Sequence, residues 1–181
     1  MDPYNVIGRK TFIFGILGTG CFVATASLWP RLTNAQTMDK VRSSMTALTE
    51  KTAKLGPPRV EGTEAVAGKN VPALYFGATK MNNNFNVVDE VVKENGGTAT
   101  LFVKAGDEYV RVATNVKKDD GSRAVGTILD PNGPAIVMIK KGEAYYGDAT
   151  ILGKPYVTGY DPIRDASGNV IGIYYVGYLK G

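Results

Sequence analysis

Residues 154–178, KPYVTGYDPIRDASGNVIGIYYVGY, constrain the fold more than any other stretch of the chain. Tyr156, Thr158 and Tyr160 alternate with Val157 and Gly159, and after D-A-S-G-N a second alternating run carries Val170 to Tyr178. Aromatic and β-branched residues fit a pleated surface, and the Asp/Ser/Gly/Asn cluster marks a reversal. The pattern predicts two long strands joined by a tight turn. Both faces of the second strand are apolar, as a strand covered on both sides requires. This hairpin is therefore expected at the middle of a small antiparallel sheet.

The rest of the chain supplies the other layers. Residues 36–55 place Met38, Val41, Met45, Leu48 and Leu55 near a 3.6-residue period, which predicts a helix stopped by Gly56-Pro57-Pro58. Residues 59–86 read as a polar, glycine-rich region with one apolar island at 71–76 and a turn at Asn82-Asn83-Asn84. Val87, Val88, Val91 and Val92 share one face of a short helix that an asparagine caps and Gly96-Gly97 ends. Residues 98–103 and 108–116 read as strands joined by a hairpin connection, and KKDDGSRAVGT as loop. A third short helix starts after Asp130-Pro131-Asn132, with Pro134 in its first turn, and runs to about Gly142. Residues 144–152 form a further strand. Connections this short exclude an all-parallel sheet. The expected class is α+β, an antiparallel sheet with a long N-terminal helix.

The first 35 residues differ in kind. Arg9-Lys10 precede about nineteen uncharged residues, 11–29, and Pro30-Arg31 follow. This fits a secretory signal cleaved after Ala35 or a retained membrane anchor, and the basic flank places the remainder outside the cytoplasm. A lipoprotein site at Cys21 is a weaker alternative, because Gly18 stands where a larger apolar residue is expected. A buried soluble helix is disfavoured by Gly15, Gly18 and Gly20. Residues 36–181, 146 in all, suffice for one domain with a core. Expected boundaries are 1–35 for the targeting or anchoring segment, 36–69 for helix and linker, and 70–181 for the domain.

Composition removes several functions. The chain has no histidine and one cysteine. Ser-His-Asp and Cys-His nucleophile pairs, His-ligated zinc and c-type haem are excluded, and so is an internal disulfide. Net charge is +4, of which Arg9, Lys10 and Arg31 against Asp2 account for +2. That balance, without a basic block, argues against nucleic acid. No pair of carboxylates stands out from the turn acids, so the chain is read as a non-enzyme with no cofactor and no metal.

Candidate binding residues are weighed against plainer roles. Arg111 falls on an alternating face with Tyr109, Ala113 and Asn115, where a guanidinium beside an amide and a phenol suits a small carboxylate. The plainer role is a solvent-facing strand edge. Lys117, Ser122 and Arg123 flank a glycine-rich loop that either closes over an anion or is simply solvated. Tyrosines crowd the last three strands. Most serve as core, and Tyr156, Thr158 and Tyr160, facing one way, form the preferred wall of a pocket. Asp161 and Asp165, and likewise Asp119-Asp120, read as turn residues, since no EF-hand spacing is present.

Asn115-Val116-Lys117, Gly121-Ser122-Arg123, Val125-Gly126-Thr127, Tyr146-Gly147 and Gly153, followed by the strand pair, are specific in combination. Over residues 70–180 this spacing resembles the Cache domains of bacterial chemoreceptors and sensor kinases, in the single-Cache form built as a Cache 3/Cache 2 fusion. The resemblance implies a PAS-like five-stranded antiparallel sheet, a long N-terminal helix and loops enclosing a small-molecule pocket. The expected pocket residues are Arg111, Asn115, Lys117, Arg123, Tyr146, Tyr156, Thr158 and Tyr160. The expected function is extracytoplasmic sensing of a small molecule, an organic acid among the candidates. The chain ends at Gly181, directly after the last strand, so output is expected to pass through a receptor or kinase partner. A homodimer is compatible with this, and the membrane is a partner if residues 11–29 are retained. The alternative is a ligand-free structural or adaptor protein of the periplasm or inner membrane.

Overall fold

The computed structural model of the chain describes residues 33–181. The 11–29 segment, Cys21 and the basic flank lie outside the described residues. Among the described residues, no helix is long and apolar enough to cross a membrane.

Helix α1 (Asn34–Ala53) begins two residues before the expected start, because Thr33 caps it. The Thr33 hydroxyl accepts from the Gln36 amide at 3.3 Å, and the Gln36 side chain accepts from the Thr33 amide at 2.9 Å. This capping box spans the Ala35–Gln36 bond and satisfies two otherwise orphaned donors. The helix buries Val41, Ser44, Met45, Leu48 and Thr52, the expected stripe with two hydroxyls added.

Strands β1 (Pro58–Val66), β2 (Lys69–Phe76) and β3 (Thr79–Lys80) form a separate three-stranded antiparallel sheet. The apolar island expected at 71–76 lies in β2. β1 was hidden because it is almost wholly exposed and therefore carries no hydrophobic alternation. Ala67 and Gly68, both at positive φ, form its two-residue turn. The hairpin crosses the expected 69/70 boundary.

The main sheet follows helix α2 (Asn86–Asn95), which ends at Gly96 as expected. Its strands are β4 (Thr98–Ala105), β5 (Glu108–Thr114), β6 (Tyr145–Ile151), β7 (Lys154–Arg164) and β8 (Val170–Leu179), with helix α3 (Pro134–Lys140) between β5 and β6. The order is β5-β4-β8-β7-β6, antiparallel throughout. The fold is α+β and PAS-like, with the 154–178 hairpin as β7 and β8 and with β8 at the centre.

The sheet separates two apolar cores. Beneath α1 and α2 lie Leu101, Val103, Val112, Val157, Ile163 and Val176, packed with Val41, Met45 and Leu48. Beneath α3 lie Phe102, Tyr160, Ile173 and Tyr175, packed with Leu129, Ile136 and Ile139.

One close approach ties the small sheet to α1. The Gly77 amide donates to the Pro57 carbonyl at 2.9 Å, and a Cβ on Gly77 would collide with the Leu55 carbonyl oxygen. Gly77 lies at φ +55°. Gly106, at φ +62°, has open space around it. In urea denaturation of the full chain, Gly106→Ala should cost about 1 kcal/mol from the left-handed backbone alone. Gly77→Ala should cost about 3 kcal/mol or more, since backbone atoms must also move. Equal losses would show that the contact at Gly77 is not rigid.

Candidate functional site

The site is built by an irregularity in β5. Leu101 pairs with Ala113 but Phe102 pairs with Arg111, so Val112 is an extra residue. This β-bulge resets the alternation. Arg111 faces α3, together with Tyr109. Ala113 turns to the α1 side, and Asn115 follows it, opposite Ala99. The Asn115 side chain accepts from the Ala99 amide at 2.8 Å, which extends the strand pairing and takes it away from Arg111. The even alternation assumed over 109–115 is thus corrected by the bulge.

Arg111 is 3% exposed, although β5 is an edge strand, so the solvent-facing role is also corrected. The segment from Ala124 to Leu129 folds over it. Gly126 N–H donates to the Arg111 carbonyl and Arg111 N–H donates to the Thr127 carbonyl, both at 2.9 Å. Its guanidinium lies 4.9 Å above the Phe102 ring. Nη1 donates to Thr127 Oγ1 at 2.7 Å and to the Ile128 carbonyl at 3.3 Å. Nε is buried without a partner. No ion pair among the described residues includes Arg111. Burial lowers its pKa from the ordinary value, and the nearby phenols of Tyr160 and Tyr175 oppose that shift.

Tyr160 and Tyr175 continue this face across the sheet. Their rings stand 5.0 Å apart at 52°, a tilted aromatic pair. Burial lifts both phenols far above their usual pKa, so they remain neutral donors. Beside them, the Thr100 and Thr114 hydroxyls bond at 2.6 Å. Thr158 lies one strand-step from Tyr160 on the same face, but its hydroxyl is committed to the Gly147 carbonyl at 2.7 Å. Tyr156 is farther along and half-buried, at the wall of a cavity of about 270 Å³. Tyr156, Thr158 and Tyr160 therefore share one face, and Arg111 lies on that face three strands away, with β8 and β4 between. α3 packs over its centre. A second cavity, about 460 Å³, adjoins it at Tyr109, between the β4–β5 hairpin and the end of α3.

Three expected site residues sit elsewhere. Arg123 makes a bidentate pair with Asp89 of α2, at 2.7 and 2.8 Å, lies 4.5 Å above the Phe85 ring and bonds the Thr114 carbonyl. It clamps the loop to α2 rather than facing Arg111. Lys117 is exposed and bridges to Arg123 through the backbone. Tyr146 lies on the opposite face, paired with Gly159, beneath α1. Its hydroxyl donates to Asp161 Oδ2 at 3.0 Å, and the Arg42 guanidinium covers its ring at 4.7 Å. Asp161 is a strand residue, not a turn residue, and its Oδ1 is buried without a partner. Asp165 and Asp120 do hold turns, each accepting from amides two residues on. Tyr175 and Thr127 are site neighbours that the sequence does not single out, whereas Tyr109 keeps the place beside Arg111 expected of it. Neither Tyr175 nor Thr127 carries a local signal, because each reaches the site from an element distant in sequence from Arg111. Among the described residues, no three metal-binding side chains converge.

The main sheet thus carries the long helix α1 on one face and, on its opposite face under α3, a buried guanidinium. The family model of the Cache 3/Cache 2 fusion domain matches residues 23–180. The chain belongs to the Cache family. No curated protein matches it. Cache domains are extracellular sensory modules rather than catalytic ones. In this Cache domain the face under α3 holds a guanidinium whose Nε has no protein acceptor and which, among the described residues, has no carboxylate partner.

Asp161 provides a pH test of the other face. Burial raises its carboxyl pKa above the ordinary value, with the Tyr146 hydroxyl and Arg42 opposing the shift. A raised folded-state pKa favours the protonated form. The stability it contributes is complete below the unfolded value of about 3.9 and is lost as pH climbs through the folded value. Asp161→Asn should therefore stabilise the full chain at pH 7, by less than about 1 kcal/mol given its partial solvent contact. The gain should vanish near pH 4 in urea melts. A gain of the same size at both pH values would contradict the assignment.

Proposed function

We propose that this Cache domain senses a small organic acid outside the cytoplasm, seats the acid group on Arg111, and signals through a partner protein. One observation carries this reading: a buried guanidinium with a free Nε and no protein carboxylate. Burying a charge costs several kcal/mol unless it is paired. A carboxylate would accept from Nε and its neighbouring nitrogen in parallel and supply the absent counter-charge. Uncompensated, perturbed groups of this kind concentrate at functional sites.

The cover over Arg111 suits a sensor. Ala124–Leu129 and α3 lie on the site, so an entering ligand must displace side chains or backbone there. A ligand that binds only the displaced arrangement shifts the population towards it. β7 and β8 carry the site's Tyr160 and Tyr175 on one face and contact α1 on the other. A change in that shared sheet would reach α1, the element that follows residues 11–29. A receptor or kinase partner would read the change, and retention of residues 11–29 would hold the module at the inner membrane.

The second reading, a ligand-free adaptor, rests on the dense packing of Phe102, Ile173 and Tyr175 under Ile136 and Ile139. Arg111→Met separates the two. The full chain in detergent is titrated with short-chain carboxylates and its melting temperature followed. Sensing predicts a saturable rise for the unaltered protein. It also predicts that Arg111→Met melts higher without ligand, by about 3 °C for 1 kcal/mol of relieved charge burial, and no longer responds. An unaltered protein that responds to no carboxylate would leave the adaptor reading standing and end this one.

A further inference from the structure

The face beneath α1 carries a second unsatisfied group, on the other side of the sheet from Arg111. Asp161 of β7 is half-buried, and its Oδ1 is buried without a hydrogen-bond partner. Its Oδ2 accepts from the Tyr146 hydroxyl at 3.0 Å. An ionised carboxyl accepts through both oxygens, so in this place one of them lacks a donor. A buried charge left short of partners favours the neutral acid. The chain has no histidine, the side chain whose unperturbed pKa lies between pH 5 and 8. In such a chain a carboxyl held above its ordinary range takes that part.

Tyr146 from β6, Tyr174 from β8 and Arg42 from α1 face Asp161. Tyr174 is its direct partner across the β7–β8 ladder, and the Arg42 guanidinium lies 4.7 Å from the centre of the Tyr146 ring. Burial and the Asp161 charge hold both phenols above their ordinary pKa, so they stay neutral while Asp161 titrates. Arg42 belongs to no ion pair among the described residues. β1 also touches β7, but the charges of the small sheet pair within it, Arg59 with Glu61 and Glu64 with Lys80. Towards Tyr174 that sheet presents the Phe76 ring, at 5.9 Å. α1 itself sits directly on β7. Gly159, two residues before Asp161 on the same face, leaves room for the Val41 methyl, and Arg42 is the next residue of the helix. Lifting α1 at this point would admit water to Oδ1.

We propose that Asp161 is a proton-operated catch for α1: with the carboxyl protonated the helix stays seated on β7, and with it ionised the helix is released so that water reaches Oδ1. The inference is independent of whether any molecule binds at Arg111. Its driving force is the difference in proton affinity between the two arrangements. In the seated one, burial raises the carboxyl pKa, with Tyr146 and Arg42 opposing. In the released one, water returns it to the ordinary value of about 3.9. The bias towards the seated helix is therefore complete below about 3.9 and is lost as pH climbs from there through the seated-state value. Arg42 moderates the effect, because a cation nearby favours the ionised carboxylate in its seated place.

The test is a distance measurement between α1 and β6 by electron-spin labels. The full chain in detergent carries Cys21→Ser, which removes its one cysteine, with Ser43→Cys and Thr150→Cys as label sites; both positions are exposed. At pH 4 one distance should dominate, that of the seated helix. Between pH 4 and pH 7 the population at longer distance should rise by up to about fivefold. Asp161→Asn, a neutral side chain of the same shape, should hold the short distance at both pH values. Arg42→Gln, a change at an exposed position, should enlarge the longer-distance population at pH 7 beyond that of the parent. A distance distribution that does not change with pH would show that α1 is not released. A change of the same size in Asp161→Asn would assign it to other carboxylates. Either result overturns the catch.

Discussion

The pairing of β4 with β8 holds the structure together. Thr98 to Val103 run antiparallel to Gly177 to Gly172, joining partners 69 to 79 residues apart in sequence. Closing so long a loop costs entropy before any contact repays it. The repayment comes from burial: every β8 residue from Ile171 to Gly177 is buried except Tyr174, which is half-buried. With β4 and β8 joined, β5 and β7 add on either side by short connections, and β6 follows. The two cores, the position of α1 and the position of Arg111 all depend on that central pair.

The main sheet also explains how a charged side chain comes to be buried at an edge. β5 has β4 on one side only, yet the 124–129 segment returns to it, and Leu129 N–H donates to the Tyr109 carbonyl at 2.9 Å. This irregular segment takes the place of a neighbouring strand. It satisfies the β5 backbone and covers the side chains on that face. The bulge at Val112 then selects which side chains are covered. Without the extra residue, Ala113 and Asn115 would fall on the Arg111 face and Thr114 would fall opposite it.

The opposite face differs in character. α1 meets the sheet through hydroxyls as well as methyls: Ser44 bonds Tyr178 at 2.8 Å and Thr52 bonds Tyr174 at 3.3 Å. Tyr146, Asp161 and Arg42 extend this polar row along β6 and β7. Gly159 allows the closest approach, since a Cβ there would lie 2.9 Å from a Val41 methyl and 2.7 Å from the Tyr146 ring. One face thus holds a charge without a counter-ion and the other a helix seated partly through hydrogen-bonded hydroxyls, joined by the same strands.

Local pattern alone determined a good part of this. The alternation in 154–178, the valines of α2, Pro134 at the start of α3 and the stop at Gly56 each state their element through side-chain periodicity or backbone chemistry. The spacing of the loop and strand motifs was enough to point to the Cache family. Tyr156, Thr158 and Tyr160 were visible as one face of a strand because strand alternation is a local rule, but that Arg111 lies on the same face of the sheet was decided by the strand pairing. Tertiary structure decided the rest. Arg123 was taken by Asp89 and Tyr146 by Asp161, choices that need partners distant in sequence. Asn115 left the site because of a one-residue bulge that changes no local propensity. β1 was invisible because an exposed strand has no apolar period to show. Whether a polar side chain binds a neighbour or waits for a ligand depends on what lies within hydrogen-bond reach, and only the folded chain defines that distance.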